Sequence, residues 1–118
     1  MKQRLALEPH PVADTRARRT ERLAIDGRRS VPKDVGQCVI GNVIHTEPKD
    51  MYISRLACVN GGLPHDDGAL TVNRLCGSGM QAIVSASQYS LRGDTDAAVA
   101  RGAESMSRAA YASLTQRW

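Results

Sequence analysis

The pattern of apolar and polar residues predicts strands and helices that alternate along residues 30–118. Residues 37–44 form a nearly continuous apolar run, which is typical of a strand buried on both faces of a parallel sheet. Residues 50–60 carry apolar residues at helical spacing and are followed by Gly61 and Gly62, which predicts a helix and its end. Shorter apolar runs at residues 69–73 and 96–102 predict two further strands. This order indicates an α/β fold with a partly parallel sheet.

Between the second and third predicted strands, residues 70–83 pass from a short β-branched strand through Cys76 into a helical pattern. Met80, Ile83, Val84 and Leu91 fall near helical spacing, and Gly93 follows where a left-handed cap residue belongs. We therefore expect Cys76 at a strand-to-helix turn beside a helix N-terminus. The partial positive charge at such a terminus favours a thiolate, the nucleophilic form of cysteine.

A structural interpretation of Cys76 carries equal weight on spacing alone, because free cysteine is among the most buried residue types. The same consideration predicts that Cys38 and Cys58, which lie in apolar stretches, are small buried core residues. The spacing alone leaves both interpretations of Cys76 open.

Two motifs resemble those of the thiolase family. Residues 73–82 read Asn-Arg-Leu-Cys-Gly-Ser-Gly-Met-Gln-Ala and are similar to the motif around the acyl-enzyme cysteine. Residues 102–107 read Gly-Ala-Glu-Ser-Met-Ser and resemble a second signature of that family, at the expected distance. The resemblance runs from about Val31 to Trp118 and is greatest to bacterial β-ketothiolases of the biosynthetic type.

The resemblance implies a fold, an activity and a site. The expected fold is part of the N-terminal half-domain of the thiolase fold, with layers of helices on a mixed sheet and without its first strand. The implied activity is that of an acyl-CoA C-acyltransferase, which forms or cleaves 3-ketoacyl-CoA with Cys76 as the acylated nucleophile. Coenzyme A thioesters would be substrates, and no separate cofactor or metal is expected. The strand at residues 69–73 resembles the one at the thiolase dimer interface, so a full-length protein is expected to be a homo-oligomer.

The chain is also expected to be an incomplete enzyme. At 118 residues it is much shorter than a thiolase subunit. The activating histidine, the second cysteine and the asparagine-bearing oxyanion motif of the family lie in segments that find no match here. His45 is a local candidate for the base, although a single histidine in a loop is more often a surface residue.

Charge divides the chain into two parts. Residues 1–29 carry eight Lys or Arg against four acidic residues, whereas residues 30–118 carry eight of each. We predict a divergent or disordered basic segment at 1–29 and a partial thiolase N-terminal domain at 30–118. No aromatic residue lies among the arginines of the first segment, which disfavours nucleic-acid binding.

Three cysteines without a CxxC pair argue against a disulfide framework or a zinc site, and they fit a reducing, cytoplasmic compartment. No apolar run reaches the length of a membrane span, so no membrane partner is expected. The residues His65, Asp66 and Asp67 before Gly68 are interpreted as a turn rather than a metal loop. Arg101 departs from the family pattern, and a charged side chain in a strand needs a partner or a route to solvent.

Three alternatives to a thiolase remain open on the sequence. The chain could be another condensing enzyme such as a ketoacyl synthase, which also places a cysteine at a strand–helix turn. It could be a basic binding module carried by residues 1–29. It could also be an inactive remnant that associates with a full-length subunit.

Overall fold

The computed structural model describes residues 32–115 as an α/β unit of alternating strands and helices. The predicted basic segment at residues 1–29 lies outside these described residues. The strands and α-helices, in chain order, are β1 (Val35–Gly41), α1 (Ile53–Gly61), β2 (Gly68–Val72), α2 (Ser78–Leu91) and β3 (Ala97–Gly102). Short 3₁₀ turns occupy Pro32–Asp34, Pro48–Tyr52 and Met106–Arg108.

The three strands form one sheet in the order β2-β1-β3. Both strand pairs are parallel, with Val39 opposite Leu70 of β2 and opposite Ala100 of β3. Strand β1 is therefore the central strand, which explains its continuous apolar run. No antiparallel pair occurs among residues 32–115, so this region supplies the parallel part of the expected mixed sheet.

Each face of the sheet carries one helix, as the alternation of side chains along β1 requires. Cys38 and Ile40 point to the face covered by α1, where they pack in one cluster with Ile53 and Cys58. Val39 points to the opposite face and packs in a second cluster with Ala82 and Ala86 of α2. These two clusters confirm the α/β prediction and the burial of β1 on both faces.

A buried serine of α1 connects the ends of β1 and β2. The backbone N–H of Ile40 donates to Ser54 Oγ at 3.1 Å, and the Ser54 hydroxyl donates to the carbonyl oxygen of Leu70 at 2.6 Å. The hydroxyl therefore satisfies backbone groups of both strands, as a buried polar group must. This contact helps to fix the C-terminal end of β2, from which the cysteine turn begins.

Two boundaries differ from the sequence predictions. Strand β1 ends at Gly41 rather than near Ile44, so Val43 and Ile44 lie in the following loop. The helix predicted at residues 50–60 begins as the 3₁₀ turn Pro48–Tyr52 and becomes α-helical only at Ile53. The physical reason is a cap: buried Asp50 accepts the backbone N–H groups of Thr46 and Glu47 at 2.8 and 3.1 Å, which tightens the first turn.

Helix α2 packs on the sheet through its small residues. Its buried positions are Ser78, Ala82 and Ala86. The larger apolar residues at helical spacing point away from the sheet, and Met80 and Leu91 are 66% and 86% exposed. The sequence periodicity therefore predicted the helix correctly, while the face that it buries is the one lined by small side chains. No helix among residues 32–115 has both the length and the apolar character to cross a membrane.

Candidate active site

Cys76 lies in the turn between β2 and α2, one residue before the cap residue Gly77. The preceding residue, Leu75, has a φ of 50°, in the left-handed region that non-glycine residues rarely adopt. The side-chain oxygen of Asn73 accepts the backbone N–H of Leu75 at 3.0 Å. This local hydrogen bond helps to hold the unusual backbone conformation directly before the cysteine.

The hydroxyl group of Ser78 closes the same turn from the helix side. Ser78 Oγ accepts the backbone N–H of Arg74 at 2.7 Å and donates to the carbonyl oxygen of Leu75 at 2.7 Å. The Ser78 residue is buried. Because one hydroxyl uses both its donor and an acceptor on residues flanking the turn, the backbone at Cys76 is fixed from both sides.

Close backbone contacts bring the start of α2 against the ends of β1 and β3. A Cβ atom on Gly41 would lie 2.5 Å from the carbonyl carbon of Ser78, a distance at which the backbone must move. A Cβ atom on Gly102 would lie 3.4 Å from the Cα atom of Gly79. Glycine at residue 41 is therefore required for the approach of the helix N-terminus to the strand ends.

This edge of the sheet contains a cavity of about 500 Å³ that Cys76 helps to line. Its walls are mostly apolar or glycine. The lining residues are Gly41, Val43, Ile44, Leu75, Cys76, Ser78, Gly79, Gly102, Ala103, Glu104 and Met106. All three cysteines of the sequence lie within the described residues; Cys76 is exposed, whereas Cys38 and Cys58 are buried, as their apolar neighbours predicted.

The sequence assigned no role to Glu104, which lines the cavity, or to Asn42, which contacts the lining residue Ala103. Both oxygens of the Glu104 carboxylate accept backbone N–H groups, from Val43 and from Ile44, the latter at 3.3 Å. The side-chain amide of Asn42 donates to the carbonyl oxygen of Ala103 at 2.7 Å. Glu104 lies within the motif at residues 102–107, but no sequence pattern pairs it with residues about sixty positions earlier.

Other candidates from the sequence lie away from the cysteine or have structural roles. His45 is exposed and lines a separate depression with Thr46, Glu47, Pro48 and Met51, so it is not among the residues lining the Cys76 cavity. The hypothesis that His45 acts as the base is not supported by this placement. Arg101 is half-buried and has an interaction partner. This agrees with the expectation that a charged side chain in strand β3 needs a partner or a route to solvent.

The turn before β2 is held by Arg55. Its guanidinium donates to the carbonyl oxygens of Asp67, at 2.8 Å, and of His65. Burial raises the pKa of the Asp67 carboxyl, the nearby charge of Asp66 raises it further, and the Arg55 charge acts in the opposite direction. Residues 65–67 form a turn, and no group of three metal-ligating side chains occurs within residues 32–115.

The fold and site together define an α/β protein with an exposed cysteine at a strand–helix turn beside a largely apolar cavity. Comparison with known families gives the family itself. The profile described as "Thiolase, N-terminal domain" matches residues 19–118. The chain therefore belongs to the thiolase family, which confirms the family inferred from the two sequence motifs.

Named relatives agree with this assignment. The chain is 65% identical over 85 residues to the beta-ketothiolase BktB of Cupriavidus necator, covering 72% of this chain and 22% of that protein. It is 39% identical over 90 residues to the mitochondrial 3-ketoacyl-CoA thiolase of Bos taurus, covering 76% of this chain and 23% of that protein. The chain thus spans less than a quarter of the length of these curated relatives.

Solved structures show the same fold. The human mitochondrial 3-ketoacyl-CoA thiolase in complex with CoA superposes with a TM-score of 0.85 at 30% identity, covering 95% of this chain and 28% of that one. The acetyl-CoA acetyltransferase of Bacillus anthracis gives a TM-score of 0.75 at 31% identity, covering 94% of this chain and 27% of that one. These superpositions confirm the expected thiolase fold for this part of the chain.

Proposed function

We propose that this chain supplies the nucleophile of an acyl-CoA C-acyltransferase and that Cys76 is the residue that becomes acylated. One observation carries the proposal: Cys76 is exposed and lines a largely apolar cavity at the helix N-terminus, whereas Cys38 and Cys58 are buried. The family, and the 3-ketoacyl-CoA thiolase among its relatives, support acyl transfer to or from coenzyme A. The human mitochondrial 3-ketoacyl-CoA thiolase, which shares this fold, was solved in complex with CoA.

The proposed chemistry proceeds through a cysteine acyl-enzyme. The Cys76 thiolate attacks the carbonyl carbon of an acyl-CoA thioester, a new carbon–sulfur bond forms to Cys76, and the CoA thiolate leaves. A second acyl-CoA then transfers a proton from its α carbon to the second cysteine of the family, which the resemblance places in another segment and which acts as the base. The resulting carbanion attacks the acyl group on Cys76, which releases the cysteine thiolate and gives 3-ketoacyl-CoA. Cleavage of 3-ketoacyl-CoA by CoA is the reverse sequence.

The described residues support the first of these steps more directly than the second. The turn fixes the backbone at Cys76 through Asn73 and Ser78, so the sulfur is presented to the cavity by a rigid element. The cavity lining contains no histidine and no second cysteine, and the family resemblance places those groups in other segments. A single missing oxyanion donor can reduce the rate about 100- to 1000-fold.

Acyl-CoA and CoA as substrates, homo-oligomeric assembly and a cytoplasmic location therefore belong to the proposal. The same holds for the absence of a separate cofactor, since the thioester already carries the activated acyl group. The alternative of an inactive fragment that associates with a full-length subunit makes a different prediction, because it requires no chemistry at Cys76.

Acylation of the purified chain tests the proposal. After incubation with acetyl-CoA, peptide mass spectrometry should find one acetyl group on the Cys76 peptide, and Cys76→Ser should abolish it. Cys58→Ser is the matched control and should leave the modification in place. Complete turnover of acetoacetyl-CoA by the chain alone is expected to be undetectable. Acetylation of Cys38 or Cys58 instead, or of none, would contradict the role of Cys76.

A chimera tests the same role in a complete enzyme. The matching segment of the Cupriavidus necator relative is replaced with the residues of this chain that align to it. We expect acetoacetyl-CoA thiolysis by the chimera and a decrease of about 1000-fold or more with Cys76→Ser, as for loss of a covalent nucleophile. Full activity of the Cys76→Ser chimera would show that another residue accepts the acyl group.

A further inference from the structure

The cavity beside Cys76 is built from two loops that follow neighbouring strands. The loop after β1 contributes Val43 and Ile44, and the segment after β3 contributes Ala103, Glu104 and Met106. Because β1 and β3 are parallel and adjacent, their C-terminal ends lie at the same edge of the sheet. The shape of the cavity therefore depends on how these two loops are held against each other.

Glu104 lines the cavity and joins the two loops at that point. One oxygen of its carboxylate accepts the N–H of Val43, and the other accepts the N–H of Ile44 at 3.3 Å. Both N–H groups lie beyond the end of β1 at Gly41, so they are outside the hydrogen-bond ladder of that strand. Hydrogen bonds to an ionised acceptor are stronger than neutral ones, so this pair orients the loop backbone firmly.

Two further links join the same loops at other points. Asn42 donates to the carbonyl oxygen of Ala103 at 2.7 Å, and Arg108 pairs with Glu47. These links tie the loops together independently of Glu104. A change at Glu104 is therefore expected to move the residues between them, Val43 and Ile44, without separating the loops.

Val43 and Ile44 are half-buried aliphatic residues in the cavity wall, and Cys76 belongs to the same lining. A difference of one methylene in an apolar pocket changes selectivity about 10- to 200-fold, so a small shift of this wall matters. The carboxylate of Glu104 directs both oxygens at backbone N–H groups, which leaves the aliphatic side chains to define the wall.

We infer that Glu104 is a positioning residue that holds the Val43–Ile44 wall in place, and that this wall selects aliphatic acyl groups for Cys76. The inference rests on the proposed function, because the wall selects acyl groups only if Cys76 is the residue that becomes acylated. It goes beyond that function in naming a residue outside the cysteine turn that holds the cavity wall in place. It predicts that the alkylation rate of Cys76 depends on the length of the alkyl chain that the reagent carries.

Two alkylating probes of different length test the inference without requiring acyl transfer. The rates of Cys76 alkylation by iodoacetamide and by N-hexyliodoacetamide are measured by peptide mass spectrometry in the 118-residue chain. The ratio of hexyl to unsubstituted rate is compared with the same ratio for a short cysteine peptide. Cys38 and Cys58 serve as internal reporters, because they are buried and remain unmodified while the fold is intact.

The wild-type ratio should exceed that of the peptide, since the apolar wall favours the hexyl chain. Glu104→Gln should lower the ratio by about tenfold, and Ile44→Ala, which changes the wall itself, should lower it similarly. Asp94→Asn removes a carboxylate from an exposed ion pair with Arg92 and should leave the ratio unchanged.

Three results would overturn the inference. The first is a wild-type ratio equal to that of the peptide, which would mean that the wall does not favour alkyl groups. The second is an unchanged ratio in Glu104→Gln together with a lowered ratio in Ile44→Ala. The third is labelling of Cys38 and Cys58 in both Glu104→Gln and the milder Glu104→Asp, which would make Glu104 a residue of general stability. If acetyl-CoA did not acylate Cys76, the proposed function would be contradicted. The alkylation ratios could still be measured, so the two failures can be distinguished.

Discussion

Gly41 and Ser78 approach so closely that a Cβ atom on residue 41 would lie 2.5 Å from both the carbonyl carbon and the carbonyl oxygen of Ser78. This contact joins the end of the central strand to the first residue of α2. The position of Cys76 therefore depends on a glycine that lies 35 residues earlier in the chain.

Gly41→Ala should displace the start of α2 and disturb the cysteine turn. Overpacking of this kind costs about 1–3 kcal/mol, and the clash here is with backbone atoms that cannot rotate away. Native-state hydrogen exchange of β1 and α2 measures the loss. Gly79→Ala is the matched control, because its Cβ atom would meet Gly102 at an ordinary contact distance of 3.7 Å. Equal losses in the two variants would contradict this account.

Ser78→Ala should destabilise the turn more than a typical serine substitution in the same helix. It leaves the partly buried N–H of Arg74 without its acceptor at 2.7 Å, and a buried donor without a partner costs up to about 1–3 kcal/mol. Ser87→Ala is the control: Ser87 is exposed, its hydroxyl only donates to Ile83 within the helix, and its loss should cost less than about 0.5 kcal/mol. Hydrogen exchange of the Arg74 and Leu75 amides separates the two cases. Similar exchange in both variants would show that Ser78 does not hold the turn.

Leu75 offers a test of backbone strain before the cysteine. Its φ of 50° disfavours β-branched residues most, and a non-glycine residue in this region costs about 1–3 kcal/mol. Leu75→Val should therefore lower the free energy of unfolding, whereas Leu75→Gly should leave it unchanged or raise it. Leu75 is 70% exposed, so lost packing contributes little to either result. Equal destabilisation by both substitutions would point to packing as the cause.

The Asp67 carboxyl should titrate above its ordinary value of 3.8, because burial and then the Asp66 charge raise its pKa. A raised pKa in the folded chain means that the folded state binds more protons than the unfolded state in this interval. Its contribution to stability is therefore largest at low pH and is lost as the pH rises from the ordinary value through the raised one.

Asp66→Asn should lower the pKa of Asp67 toward its ordinary value, since it removes one of the causes of the shift. The measurement is a carbon-13 NMR titration of the aspartate carboxyls. Asp94→Asn, a change of the same charge on an exposed side chain near the end of α2, should leave the Asp67 midpoint where it is. An Asp67 midpoint at or below 3.8 in the unsubstituted chain would contradict the predicted direction.

Local sequence patterns predicted the elements and their order. The apolar run around Cys38, Val39 and Ile40 predicted a strand buried on both faces, and Gly93 correctly predicted the end of α2. These features depend on the chemistry of neighbouring residues, so a single sequence contains them. The exposure of Cys76 was one of two interpretations, and the structure places it at the surface of the cavity.

The features that the sequence did not predict depend on long-range contacts. Glu104 binds the backbone of Val43 and Ile44, 61 and 60 residues away, and nothing in the local pattern of either segment reports that pairing. The left-handed backbone at Leu75 was also missed, because leucine carries no preference for it. The buried face of α2 was missed because the apolar spacing follows the larger residues, whereas the face that packs on the sheet carries Ser78, Ala82 and Ala86.

The strand order has a consequence for how the chain acquires its structure during synthesis. β1 is the central strand and precedes both of its neighbours, and residues 42–67 separate it from β2. At about 5–20 residues per second, the ribosome needs a few seconds to add that separation, and during this time neither of the strands that pair with β1 within residues 32–115 has been made. The apolar run of β1 is thus available to chaperones, or to other nascent chains, before any part of the cysteine turn has been made. Strand β1 also pairs in parallel with β3, which is synthesised later still. Because both pairings join segments distant in sequence, this strand order favours slow folding.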